Sequence, residues 1–168
     1  MSEAAPSASI TVRTATWQVD RDDLMFVRRR VFIEEQGIPE SEEMDEEDPG
    51  CRHALAYAAG GELAGTGRLA PGGKIGRIAV LPQYRRTGVG SAIVVHLVNQ
   101  ATELGLAQVY LHAQADSVDF YGRLGFRAEG PLFDEVGIPH RCMRRGAVQK
   151  NGQQAGRDRD EEHRHDTR

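Results

Sequence analysis

The sequence predicts a single α/β (α+β) domain, a mixed β-sheet flanked by helices. Three observations carry this reading. Short runs rich in Val, Ile, Thr and Ala recur along the chain, two of them are separated by the turn pair Gly60-Gly61, and other segments carry apolar residues at helical spacing. A chain of 168 residues with 39% hydrophobic and 27% charged residues is long enough to close one core of ordinary size.

The elements follow in order. Residues 10–17, with their Thr and Val, read as a strand. Asp20 is placed as the N-cap of a helix that carries Leu24, Val27 and Val31 on one face and runs to about residue 35. Gly37, Pro39 and a run of acids make a long loop, and residues 53–59 and 63–68 pair across Gly60-Gly61. Pro71-Gly72-Gly73 turns into a strand over 74–81. The segment 91–104 is a helix with Val89, Ile93, Leu97, Ala101 and Leu104 along one face and Gly105 as its stop. A strand over 108–113, a short helix capped by Asp116 or Ser117 and ending near Leu124, and two strands from Phe126 to about Met143 complete the order. Residues 1–8 are expected to fray, and the polar stretch 147–168 is expected to form a disordered tail, leaving 9–146 as the folded domain.

Charge and composition exclude several classes of function. The net charge is -4 and the basic residues form no single stripe, which argues against a nucleic-acid partner. No apolar run approaches the roughly 18 residues of a membrane span, and Glu3 stands where a signal peptide would carry bases, so the expectation is a cytoplasmic protein with no membrane partner. Cys51 and Cys142 lie far apart without metal spacing and read as free thiols; no metal site is expected, His163 and His165 in the tail included. From Glu34 to Asp48 there are nine acids and no Lys or Arg, so this segment carries -9 and leaves +5 on the rest of the chain. Such a run is either a solvated loop or an electrostatic funnel for a cationic small molecule.

The stretch from Ile78 to Ser91 carries the chemistry. A strand ends at Pro82, the basic turn Arg85-Arg86-Thr87-Gly88-Val89-Gly90 follows, and a long helix begins. Glycines let a ligand approach the backbone, the first helical turn offers unpaired N–H groups with a positive dipole, and arginine forks suit phosphate oxygens. The turn is a candidate pyrophosphate cradle. It is neither a GxxxxGK[ST] phosphate loop nor a GxGxxG dinucleotide fingerprint, and no magnesium-holding pair is in register for a simple nucleotide binder.

These residues resemble the acyl-CoA signature (Q/R)xxGx(G/A) of the GCN5-related N-acetyltransferases (GNAT), preceded by Ala79-Val80-Leu81-Pro82. Phe120-Tyr121-Gly122-Arg123-Leu124-Gly125-Phe126 resembles the second signature of the same family, in the right order and separation. The stretch from Phe32 to Pro39, the strand Gly76-Arg77-Ile78-Ala79-Val80, His112-Ala113-Gln114 and Gly137-Ile138-Pro139-His140 look like the bacterial ElaA/YjcF-like subgroup. The resemblance implies a GNAT-type splayed sheet in which strands 76–81 and 108–113 part for the pantetheine arm of acetyl-CoA. Main-chain groups of Ile78, Ala79 and Val80 would bind the arm, and the segment Arg85, Arg86, Thr87, Gly88, Val89, Gly90 and Ser91 the pyrophosphate. A backbone N–H near Val80 would polarise the thioester carbonyl.

The implied activity is transfer of an acetyl group from acetyl-CoA, as co-substrate and without a metal, to a primary amine of a small, cationic acceptor by direct attack. Such a reaction needs a group to accept the ammonium proton and one to protonate the departing thiolate. Tyr121 matches the family's usual acid. His53, at a strand start after the acidic loop, is the candidate base. Glu35, Asp45 and Asp48 are candidates to hold the acceptor's ammonium, and His112 and His140 to line its pocket; His96, Trp17, Phe26, Phe32 and Phe133 read as structural or as pocket wall. The alternatives are an acyl-CoA-binding sensor or interaction module without turnover, and a protein lysine or N-terminal acetyltransferase. A monomer or a homodimer is expected.

Overall fold

A computed structural model describes residues 9–147, and the expectations for residues 1–8 and 148–168 lie outside it. Strand β1 (Thr11–Ala15) leads into helix α1 (Trp17–Arg28), which continues as a π-helical stretch over Arg29–Glu35. The short helix α2 (Glu40–Glu43) precedes the hairpin β2 (Arg52–Tyr57) and β3 (Leu63–Leu69), then β4 (Ile75–Val80). The long helix α3 (Val89–Glu103), β5 (Gln108–Gln114), the short α4 (Val118–Arg123) and the hairpin β6 (Arg127–Glu135) and β7 (Ile138–Gly146) follow.

The strands form two antiparallel sheets, β1-β2-β3-β4 and β5-β7-β6. They meet at β4 and β5, which run parallel and touch through one bridge, Lys74 to Tyr110, with Tyr110 N–H donating to Gly73 O at 3.1 Å. Beyond that bridge the two strands part, so their facing N–H and C=O groups are left open to a ligand that can pair with an extended backbone. This is the splayed, mixed arrangement expected from the sequence.

Helix α3 covers one face of the first sheet. Its Val89, Ile93, Leu97 and Ala101 are buried against Ala54, Ala56 and Ala64, while Leu104 lies past the helix end and is exposed. On the other face, Val27, Val31 and Phe32 pack on Ala79 and Leu81 of β4 and the residue after it.

The first helix differs from the expectation at both ends. It begins at Trp17, and Asp20 acts from inside: its carboxylate accepts the Thr16 N–H at 2.9 Å and pairs with Arg13 at 2.8 Å. At the other end, Gln36 N–H reaches back five residues to Val31 O, the step of a π-helix, and the turn closes at Gly37, φ +69, with Ile38 N–H bonded to Phe32 O. That widening keeps Val31 and Phe32 on β4 and places Glu35 and Gln36 at the gap between the sheets.

The domain also extends past residue 146. Ala147 is buried in the core, its N–H donates to Ala107 O, and its carbonyl accepts from the Thr102 hydroxyl.

Candidate active site

A cavity of about 950 Å³ occupies the gap between β4 and β5. Its wall combines the residues of the basic turn and α3 (Arg85, Arg86, Gly88, Gly90, Ser91), Phe120, Tyr121 and Arg123 of α4, and the β4 segment 75–80. Glu35, Gln36, Glu42 and Glu43 line it from the α1–α2 connection, and His112, Gln114, Glu135, Val136 and His140 from the second sheet.

The turn before α3 has the conformation an anion requires. Gly88 is the N-cap of α3 with φ +91, a left-handed geometry glycine adopts without cost, and Arg86 precedes it at φ +63. The first intrahelical bond runs from Ala92 N–H to Gly88 O, which leaves the N–H groups of Val89, Gly90 and Ser91 without a helical acceptor. A Cβ at Gly90 would stand 3.3 Å from the Phe120 ring, so space here is available only to a residue without a side chain. Unpaired amides, a helix dipole and close backbone access fit a pyrophosphate, and the parted strands fit an extended arm.

Arg85 departs from its expected place in that cradle. Its guanidinium makes a two-pronged pair with Glu35, both contacts at 2.6 Å, and its Nε–H donates to Val80 O at 3.1 Å. The pair holds the Glu35 carboxyl below the usual carboxylate range. Both residues line the cavity, but each is occupied by the other, so neither presents a free charge. Arg86 is the remaining basic group of the turn.

Tyr121 also lines the cavity, packed edge-on against Phe120 and Phe126 at ring distances of 5.0 and 5.9 Å. Burial pushes its phenol up to about 12, so it keeps its proton across the neutral range.

His53, Asp45 and Asp48 are not among the lining residues, and this corrects three expectations from the sequence. His53 is buried on β2, its Nε2–H donates to Asp48 O at 2.8 Å, and its ring lies 5.8 Å from that of Trp17. Burial lowers its proton affinity and leaves it neutral, with no open path to a substrate nitrogen. Asp48 is fully buried and is shared by Arg28 at 2.9 Å and Arg68 at 2.8 Å. Asp45 pairs with Arg68 at 2.7 Å and Arg77 at 3.1 Å.

The acidic run is therefore largely neutralised from within. Glu43, Asp45 and Asp48 face Arg28, Arg68 and Arg77, three charges of each sign, and Arg30 and Arg29 take Glu34 and Glu40. Burial pushes the Glu43 carboxyl up, against the pull of Arg28 at 2.5 Å. The loop's negative charge does not stand open to solvent as a funnel. What the network does is fasten residues 43–48 beneath β4, where Arg77 adopts φ +52 at a register shift opposite β3.

The second sheet supplies a cluster that the sequence placed only in part. His112 Nδ1–H donates to Glu135 Oε1 at 3.2 Å, and His140 Nε2 lies 3.6 Å from Glu135 Oε2. His140 Nδ1–H donates to Ile138 O at 2.7 Å. Phe133 packs against both rings, edge-on to His112 at 5.0 Å and stacked on His140 at 6.1 Å. Glu135 was missed by sequence reasoning. Strand alternation could have found it, because it lies two residues from Phe133, which pairs directly with His140. Neither cysteine lines the cavity, both are free thiols, and among the described residues no group of three metal-ligating side chains converges.

A gap between parallel strands with an amide cradle at the end of one of them is the architecture of an acyl-CoA-dependent acyltransferase. The chain belongs to the acetyltransferase (GNAT) domain family, whose model matches residues 23–146. It is 37% identical over 140 residues to the uncharacterized protein YyaT of Bacillus subtilis, covering 80% of this chain and 94% of that protein. To the uncharacterized N-acetyltransferase YjcF of the same organism it is 37% identical over 124 residues, 72% of this chain and 89% of that protein. The crystal structure of Escherichia coli ElaA superposes with a TM-score of 0.72 at 27% identity, covering 82% of this chain and 99% of that one. The protein is an N-acetyltransferase of the ElaA/YjcF-like group, as the motifs suggested. No helix among the described residues is long and apolar enough to cross a membrane.

Proposed function

We propose that this N-acetyltransferase moves the acetyl group of acetyl-CoA onto a primary amine of a small, cationic acceptor by direct attack. The observation that carries the reading is one cavity whose wall holds the cradle of α3 on one side and ionisable groups of the second sheet and the α1–α2 connection on the other. Acetyl-CoA supplies the activated acetyl group as a thioester. The amides of residues 86–91 hold its pyrophosphate and the open edge of β4 at Ile78, Ala79 and Val80 holds its arm. Tyr121 donates a hydrogen bond to the sulfur as the C–S bond breaks.

Direct attack is supported by the absence of both cysteines from the cavity wall, which leaves no thiol there to carry the acetyl group. A cationic acceptor is supported by Glu42 and Glu135, cavity carboxylates with no arginine or lysine partner among the described residues. A small acceptor is supported by the Gln114–Gln36 hydrogen bond, 3.1 Å, which ties the end of β5 to the α1–α2 connection and narrows the approach for a folded protein. Free thiols agree with a cytoplasmic setting.

Calorimetry with acetyl-CoA tests the cradle. The wild-type protein binds, and Gly88→Val, which forces a branched side chain to φ +91, loses at least about tenfold in affinity while staying folded. Undiminished affinity in a folded Gly88→Val protein would remove the cradle assignment.

A further inference from the structure

We infer that His112 is the proton acceptor of this site, with Glu135 as its positioning residue. The inference rests on the acetyltransferase reading above and assigns the base that His53 cannot be.

The argument starts from which atoms can donate. A carboxylate only accepts, so the 3.2 Å contact from His112 to Glu135 fixes the proton of the neutral ring on Nδ1. Nε2 then carries the lone pair, and it has no hydrogen-bond partner among the described residues. The His112 side chain is 27% exposed and lines the cavity. A ring held in one tautomer by a carboxylate, with its basic nitrogen unengaged, is what general-base catalysis asks for.

Glu135 is itself fixed. The hairpin after it turns on Val136 at φ +48 and Gly137 at φ +77, and Gly137 N–H donates to Asp134 Oδ1 at 3.1 Å. A β-branched residue at positive φ is a strained conformation, and such strain concentrates where geometry serves a site. On the far side His140 is buried and anchored by its Nδ1–H to Ile138 O, which leaves its Nε2, 3.6 Å from the second carboxylate oxygen, with no proton to donate in the neutral ring. The Phe133 ring packs against both histidines. His53, by contrast, is closed in beneath the other sheet.

In the reaction, Nε2 of His112 takes one proton from the acceptor's ammonium. The freed nitrogen lone pair forms the C–N bond as the C–S bond breaks; the second amine proton leaves to solvent and the thiolate gains one, giving amide and CoA thiol. The His112 imidazolium, balanced by Glu135, returns its proton to water.

Two measurements test this. Long-range nitrogen-15 spectra of the histidines should show His112 protonated on Nδ1 in the wild-type protein near pH 8 and lose that preference in Glu135→Gln. Kinetics use acetyl-CoA with spermidine, glucosamine, lysine and a lysine-containing peptide as acceptors, followed by release of CoA thiol. With any acceptor that turns over, His112→Gln should lose about 10²-fold in kcat with unchanged affinity for acetyl-CoA. Glu135→Gln should also lower kcat with unchanged affinity for acetyl-CoA, because the ring then loses the carboxylate that orients it. The titratable groups facing His112 are Glu135 on β6, His140 and Cys142 on β7, Tyr110 on its own strand and Lys74 at the β4 bridge. A wild-type His112 protonated on Nε2, or an undiminished kcat in both variants of an active enzyme, overturns the assignment alone. Turnover of none of the four acceptors overturns the acetyltransferase reading and this role with it.

Discussion

At the scale of single residues, the burial of Tyr121 limits what its phenol can do in the proposed reaction. A phenol pushed up to about 12 lies some 3–4 units above an ordinary thiol near 8.5, so complete proton transfer to a thiolate is uphill by about 5 kcal/mol, while hydrogen-bond donation is not. Tyr121→Phe is therefore expected to lower kcat by about 10²-fold and leave acetyl-CoA affinity within twofold, as read by steady-state kinetics and calorimetry. Equal turnover in the two proteins would take Tyr121 out of the reaction. The placement of Gly88, Gly90 and Tyr121 on the cavity wall was legible because it follows from local backbone geometry and from the spacing to Phe126. Arg85 was not, since its partner Glu35 is 50 residues away and only the folded chain brings the two together. His53 misled for the same reason: a histidine after an acidic run reads as exposed, whereas strand β2 turns it into the core.

At the scale of elements, the connection over residues 40–50 is the clearest case of long-range pairing deciding what a charge run does. Arg28 comes from α1, Arg68 from β3 and Arg77 from β4, and none is adjacent in sequence to the acids it neutralises. The run thus reads from sequence as nine free charges and folds as a latch that positions one wall of the cavity. Arg28→Met leaves Glu43 and Asp48 buried with fewer counter-charges, and removal of one partner from such a network costs about 3–5 kcal/mol. Chemical denaturation checks this, and a loss below about 1 kcal/mol would show that the network is replaceable by apolar packing. Most strand and helix positions followed from hydrophobic period and turn residues, but the π-helical stretch did not. Its extra residue per turn is set by packing of Val31 and Phe32 on β4, and a regular helix has the same sequence pattern.

At the scale of the whole molecule, two sheets joined through a single bridge create the gap, and the ionic latch on one side and the β6–β7 hairpin on the other furnish its walls. The same latch sets the acid limit of the fold. Arg68 holds the Asp45 carboxyl down to about 2, and Arg28 and Arg68 hold Asp48 below its ordinary 3.8 although burial opposes them. Groups depressed in the folded state contribute stability in full above 3.8 and lose it as the pH falls toward 2. His53, lowered from 6.5 by burial, adds a smaller loss that begins as the pH falls below that value. Thermal unfolding followed from pH 8 to 2 should show a shallow decline below about 6.5 and a steep one below about 4. A melting temperature constant across that range would contradict the burial of these charges.

In the proposed reaction, acetyl-CoA meets an amine in the gap between β4 and β5. Release of CoA thiol from acetyl-CoA by the wild-type protein, measured with and without each amine of the panel, tests it most directly. Release should depend on an added amine and rise with its concentration. Acetyl-CoA binding with no amine-dependent release across polyamine, amino sugar, amino acid and peptide would contradict it and would make the cavity a binding site without turnover.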